Sequence, residues 1–254
     1  MSLVIISSKQ KIMIALIANL NPGDYVGFTF FIGSIAMLAA TVFFFFEMNN
    51  VEGKWRTSLL VSGLITFIAA VHYFYMRDFW AENETSPTEL RYIDWILTVP
   101  LMCVEFYLIL KAFGAKIGLL WKMIFYSLIM LVFGYLGEAV YKSQSVFMAV
   151  LSTVGYVGIL YEIWLGSAKK LANNSNDPRL QSAFKALAWF VLVGWAIYPI
   201  GYMAGTEGGW LSGTGLSTYM DIIYNIGDAI NKIGFGLVIY TLAVSSSSKQ
   251  TATA

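Results

Sequence analysis

Long runs of apolar residues alternate with short polar breaks along the chain, and the pattern predicts seven helices. They fall at about 24–48, 57–77, 88–111, 117–141, 144–167, 181–205 and 216–244. The breaks "NNVEGK", "DFWAENETSP", "FGAK", "KSQ", "KKLANNSNDPR" and "GTEGGWLSGTG" carry the residues that favour turns and loops. Ser86-Pro87 followed by Glu89 marks a start for the third helix. Each run holds roughly 20 or more residues, enough to cross about 30 Å of hydrocarbon.

Composition turns this pattern into a membrane protein. Of 254 residues, 58% are hydrophobic and only 12% charged, against about 25% charged in ordinary soluble domains. Mean hydropathy is +0.67. The fold class expected is therefore an all-α membrane protein, a seven-transmembrane-helix bundle with the lipid bilayer as its surroundings. Residues 21–245 form the single domain, and the serine-rich 246–254 segment is expected to be a disordered tail. Residues 1–20 faintly resemble a signal peptide but show no clear A-x-A-like cleavage site.

Charge narrows the partners and orients the bundle. A net charge of +1 offers no basic field for nucleic acid, and the single cysteine, Cys103, cannot form an internal disulfide. Ten of the sixteen lysines and arginines fall on one side of the predicted bundle, and four on the other (Lys9, Lys11, Arg77 and Lys142). The positive-inside rule then places the N-terminus outside and the C-terminus in the cytoplasm.

Four ionisable residues interrupt the spans: Asp94, Glu105, Asp228 and Lys232. A charge at a helix centre costs roughly 2.5–3.5 kcal/mol on insertion scales, so such groups face a bundle interior and mark a pathway or a ligand. Asp228 and Lys232 are four apart, on one helix face. Asp94 and Glu105 are eleven apart, about three turns and ~16 Å, and return to within about 20° of one another. Thr98 joins that face and Arg91 precedes Asp94 by three, giving a column of arginine, carboxylate, threonine, carboxylate. The lone histidine, His72, falls at a depth similar to that of Asp94.

Lys232 has three readings from the residues alone: an ion pair with Asp228, a coupling-ion or substrate site, or an amine for Schiff-base formation. Aromatic residues weigh on the choice. Trp195, Tyr198, Pro199 and Tyr202 share one face of the sixth helix, Trp95 adjoins Asp94, and Tyr224 lies one turn before Asp228. A helical aromatic stripe is usually core, but aromatics beside charges on three helices suit a long, flat, apolar ligand.

The blocks "RYIDWILTVPLMCVEFYLIL", "MLVFGYLGEA", "GWAIYPIGY" and "IYNIGDAINKIGFGL" resemble the microbial rhodopsins, and within them the proteorhodopsin group, from about Tyr25 to Val244. The resemblance implies a light-driven outward proton pump, a transporter and not an enzyme, in a bacterial inner membrane. It implies that Lys232 carries all-trans retinal as a protonated Schiff base. Asp94 would be the counterion and proton acceptor, Asp228 the second counterion, and Glu105 the cytoplasmic proton donor. Thr98 would complete the signature, His72 would pair with Asp94, and Arg91 would organise the outer half-channel. Trp95, Met102, Trp195, Tyr198, Pro199 and Tyr224 would line the polyene, with apolar Met102 implying green absorption. Homo-oligomers are common in the family.

Three points stay open in the sequence. Glu138 and Glu207 are candidates for proton release, or are merely structural or loop residues. Ala149, Gly155 and Gly158 on the fifth helix could open a window for a carotenoid antenna, although close helix packing explains small residues as well. The rivals to a pump are a photosensor that signals to a partner without net transport, and, from another class, a secondary transporter that uses Lys232 and Asp228 without retinal.

Overall fold

The computed structural model of the protein describes residues 22–206 and 208–252, with side chains through 247. The segment 1–20 and Glu207 lie outside the described residues. Among the described residues, seven helical segments are long and apolar enough to span a membrane, in agreement with the predicted number. They comprise α1 (Tyr25–Glu47), α2 (Lys54–Asn83), α3 (Thr88–Lys111), α4 (Ile117–Tyr135) and α5 (Ser145–Trp164). After a short α6 (Ser167–Asn174), the sixth span joins α7 (Pro178–Trp189) to α8 (Ile197–Gly205), and the seventh contains α9 (Met220–Ala252), whose helical backbone continues through 246–252, where the sequence predicts a disordered tail.

Local chemistry accounts for most departures from the predicted bounds. The second span continues through Asp78–Asn83 before Glu84, at φ 52°, ends it. The extra turns carry Trp80, whose Nε1 donates at 3.1 Å to Asp24. Asp24 also accepts from the Gly27 amide at 2.8 Å and so caps α1. The sixth span starts at Pro178 because Asp177 accepts from the Arg179 amide, and proline suits a helix's first position. The break "KKLANN" is part of α6, whose first residue is held from α5: Glu162 accepts from both the amide and the hydroxyl of Ser167.

Consecutive spans pack as neighbours, and α9 closes the bundle against α1, α2, α7 and α8. The distribution of side chains is that of a membrane protein: Trp121, Phe125, Val150 and Val154 face outward, while Asp94, Glu105 and Lys232 are buried. Small residues set one close contact. A Cβ on Gly155 would meet backbone atoms of Tyr126 and Met130 on α4, and one on Gly158 would meet the Tyr126 ring. Both glycines serve α4–α5 packing.

Two π-helical turns interrupt the regular hydrogen bonding, Leu136–Val140 after α4 and Phe190–Gly194 between α7 and α8. Carbonyls in the second are met by side chains of other helices. Asn231 Nδ2 donates to Gly194 at 2.9 Å, and the Tyr156 hydroxyl lies within donating distance of Val191 and Leu192. Buried carbonyls released by an irregular turn need such partners where water is scarce.

Candidate functional site

The centre of the bundle is an ion cluster assembled from α3 and α9. Lys232 Nζ donates to Asp94 Oδ2 at 2.7 Å and to Asp228 Oδ2. The periodicity of α9 places Lys232 one turn beyond Asp228, whereas Asp94 comes from 138 residues away in sequence. All three are at most 3% exposed. One ammonium therefore stands between two carboxylates in a low-dielectric interior, where each charge needs its partners.

Neighbouring side chains orient this cluster. The Tyr198 hydroxyl donates to Asp228 Oδ1 at 2.8 Å. Tyr73 from α2 is buried beside it and donates to the Tyr224 carbonyl at 3.3 Å. Asp94 Oδ1 has no hydrogen-bond partner among the described residues. His72 Nδ1 comes to 4.0 Å from that oxygen, beyond hydrogen-bond distance, and at 2.8 Å from the Ile68 carbonyl of its own helix. Thr98 donates to the backbone carbonyl of Asp94 at 2.9 Å, and not to its carboxylate.

Glu105 lies further along α3, toward Lys111. It is fully buried, with Oε1 accepting from Ser62 Oγ at 2.9 Å and Oε2 without a partner among the described residues. Ser58, Ser62 and Thr66 recur every four residues on α2 and are all buried, so one hydroxyl face of that helix looks inward. At the other end of the column, Arg91 Nη2 donates to Asp221 at 2.7 Å and Asn225 at 2.9 Å.

Aromatic rings build a wall next to the ion cluster. Trp95 meets Tyr198 edge-on at 4.8 Å and Tyr224 at 5.7 Å, and Tyr198 and Tyr224 stack at 5.9 Å. Trp195 and Met102 are buried in the same core. A cavity of about 780 Å³ is lined by Trp95, Trp195, Tyr198, Pro199 and Tyr224, with Val99 and Leu131. Ala149 also lines it, and the exposed Val150 and Val154 mark its outward side between α5 and α8. Lys232 and Met102 are not among the lining residues.

These features fit a retinal group. A buried amine is set between carboxylates beside a mostly apolar cavity, whose size falls within the roughly 300–1,000 Å³ usual for small-molecule sites. The unpartnered Asp94 Oδ1 adds acceptor capacity at the same place.

Several contributors were not singled out in the sequence: Tyr73, Ser62, Asn225, Asn231 and Asp221. Some signal was present. Ser62 belongs to the four-residue hydroxyl repeat, and Asp221, Tyr224, Asn225 and Asp228 share a face of α9 at offsets of three, four and seven. Glu138, one candidate for proton release, accepts from Tyr92 at 2.8 Å and lines the cavity.

Residues 24–246 match the family model described as bacteriorhodopsin-like protein. The chain is 46% identical to a green-light absorbing proteorhodopsin from Gamma-proteobacterium EBAC31A08, over 91% of each chain. It is 45% identical to a blue-light absorbing proteorhodopsin from Gamma-proteobacterium Hot 75m4, over 91% of this chain and 90% of that one. The crystal structure of blue light-absorbing proteorhodopsin from Med12 superposes with a TM-score of 0.72 at 41% identity, covering 88% of this chain and all of the other.

Proposed function

The chain belongs to the bacteriorhodopsin-like family of microbial rhodopsins, and from that premise we propose that it is a light-driven outward proton pump with retinal attached at Lys232. The observation that carries the reading is the buried Lys232 amine held between Asp94 and Asp228 beside an aromatic cavity. Retinal, when bound there, supplies a light-driven isomerisation that changes the direction and proton affinity of the lysine nitrogen.

The chain's own groups then divide the work. Asp94 accepts the proton, its Oδ2 being 2.7 Å from Lys232 Nζ. Asp228 stays as the second counterion, oriented by the Tyr198 hydroxyl. Glu105 returns a proton to the site from the Lys111 end, with Ser62 fixing its carboxyl. Trp95, Trp195, Tyr198, Pro199 and Tyr224 shape the pocket and exclude water, while Thr98 ties the turn that carries Asp94. Expelling one charge against ~100 mV requires about 2.3 kcal/mol, which absorbed light must supply.

The lysine and arginine asymmetry supports a bacterial inner-membrane orientation with the N-terminus outside, so the Arg91 end of the column faces outward. Apolar Met102 supports green absorption. Assembly of several copies belongs to the same reading, which needs no second pigment. Glu105 favours a pump over a photosensor, since slow signalling has no need of a buried donor.

Cells expressing the protein with all-trans retinal should acidify an unbuffered medium on illumination and lose the signal with a protonophore. Transport in darkness, or a protein that forms no coloured adduct, would overturn the reading.

A further inference from the structure

Arg91 is a buried cation held at one end of the site. Its Nη2 bonds Asp221 and Asn225, while Nε and Nη1 have no partner among the described residues. Phe30 and Tyr224 rings each lie 5.1 Å from the guanidinium. Asn225 is pinned in turn, its Nδ2 donating to Thr29 at 3.0 Å.

Asp221 is the anionic member of this set and the one nearest solvent. Its side chain is 15% exposed against 3% for Arg91. The oxygen that takes the Arg91 bond also accepts from Ser86 Oγ at 2.8 Å, so residues of α9, α3 and the loop before α3 meet on one atom. Asp221 lies seven residues before Asp228, about 10 Å along the helix, while Arg91 lies one turn from Asp94. The guanidinium therefore stands between a carboxylate at the mouth and two carboxylates at the centre.

We propose that Asp221 is a positioning residue for the pump: it anchors and neutralises Arg91, and thereby sets how strongly that guanidinium favours the charged form of Asp94. The proposal rests on the retinal reading above. Other titratable or charged groups around the pair are Tyr73 and His72 on α2, Glu89 and Tyr92 on α3, and Glu138 beyond α4. Tyr198 on α8 and Tyr224, Asp228 and Lys232 on α9 complete them. Asp221→Asn leaves these side chains in place, although Asp221 also acts through space on Glu138 and Tyr224, a route that does not pass through Arg91.

The test is the pH dependence of the pigment's visible absorption, which reports protonation of Asp94. Asp221→Asn removes the charge and leaves Arg91 uncompensated, so the midpoint of the colour change should move to lower pH by about one unit. Asp221→Glu should restore it, and Asp221→Ser, also neutral, should repeat the Asn result if that variant folds poorly. In an Arg91→Gln background the Asp221→Asn shift should disappear. A midpoint within about 0.3 unit of the parent, or a shift that persists without Arg91, overturns the proposal. A parent protein that takes up no pigment overturns the retinal reading and this proposal together.

Discussion

Lys232 Nζ, on the last helix, lies 2.7 Å from Oδ2 of Asp94 on the third, and the contact joins two faces that were each legible only within their own helix. It makes the two residues non-equivalent under mutation. Lys232→Ala should abolish the coloured adduct with retinal and leave two buried carboxylates without their cation, destabilising the protein by about 3–5 kcal/mol. Asp94→Asn should keep the pigment, because Asp228 still faces the nitrogen, but lose light-driven acidification. Absorption spectra and external pH traces check both, and normal pumping by Asp94→Asn would refute the assigned acceptor.

Ser62→Ala removes the hydroxyl that Glu105 accepts from at 2.9 Å. Losing a buried hydrogen bond to an essential carboxyl is worth about 1–2 kcal/mol, or about tenfold in rate if it orients the donated proton. Flash photolysis should show slower reprotonation with an unchanged first proton transfer. Equal slowing of both steps would assign Ser62 to general packing instead.

Met102→Gln exchanges a buried, polarisable thioether for an amide dipole in the same core. The absorption maximum should move to shorter wavelength while pumping persists. An unmoved maximum would show that this position does not tune the chromophore.

Asp177, between α6 and α7, caps the sixth span and accepts from the Arg179 guanidinium at 3.0 Å. Those hydrogen bonds hold its carboxyl below the usual carboxylate range. With the folded value depressed, the stabilisation is fully present above the ordinary value of about 3.9 and is lost as pH falls through the lowered one. Asp177→Ala should therefore cost about 1 kcal/mol near neutral pH. Thermal bleaching should show a Tm deficit that shrinks below about pH 4; a deficit that widens there would contradict the capping role.

The sequence by itself determined the span number, the spacing of Asp94 and Glu105 along one face, and the placement of Asp228 and Lys232 one turn apart on another. Hydrophobic run length and the 3.6-residue period are local properties, and the cost of a charge in lipid makes each buried ionisable group conspicuous. The aromatic positions around the cavity were legible for the same reason. Tertiary structure alone decided which hydroxyl meets Glu105 and that His72 stops 4.0 Å from Asp94. It also decided that Arg91 reaches Asp221, and that Gly155 and Gly158 face α4 while Ala149 lines the cavity. Those outcomes depend on how helices rotate and approach one another, and on where a π turn shifts the register of the sixth span. A one-dimensional period contains neither quantity, since helix rotation is settled by packing across the bundle.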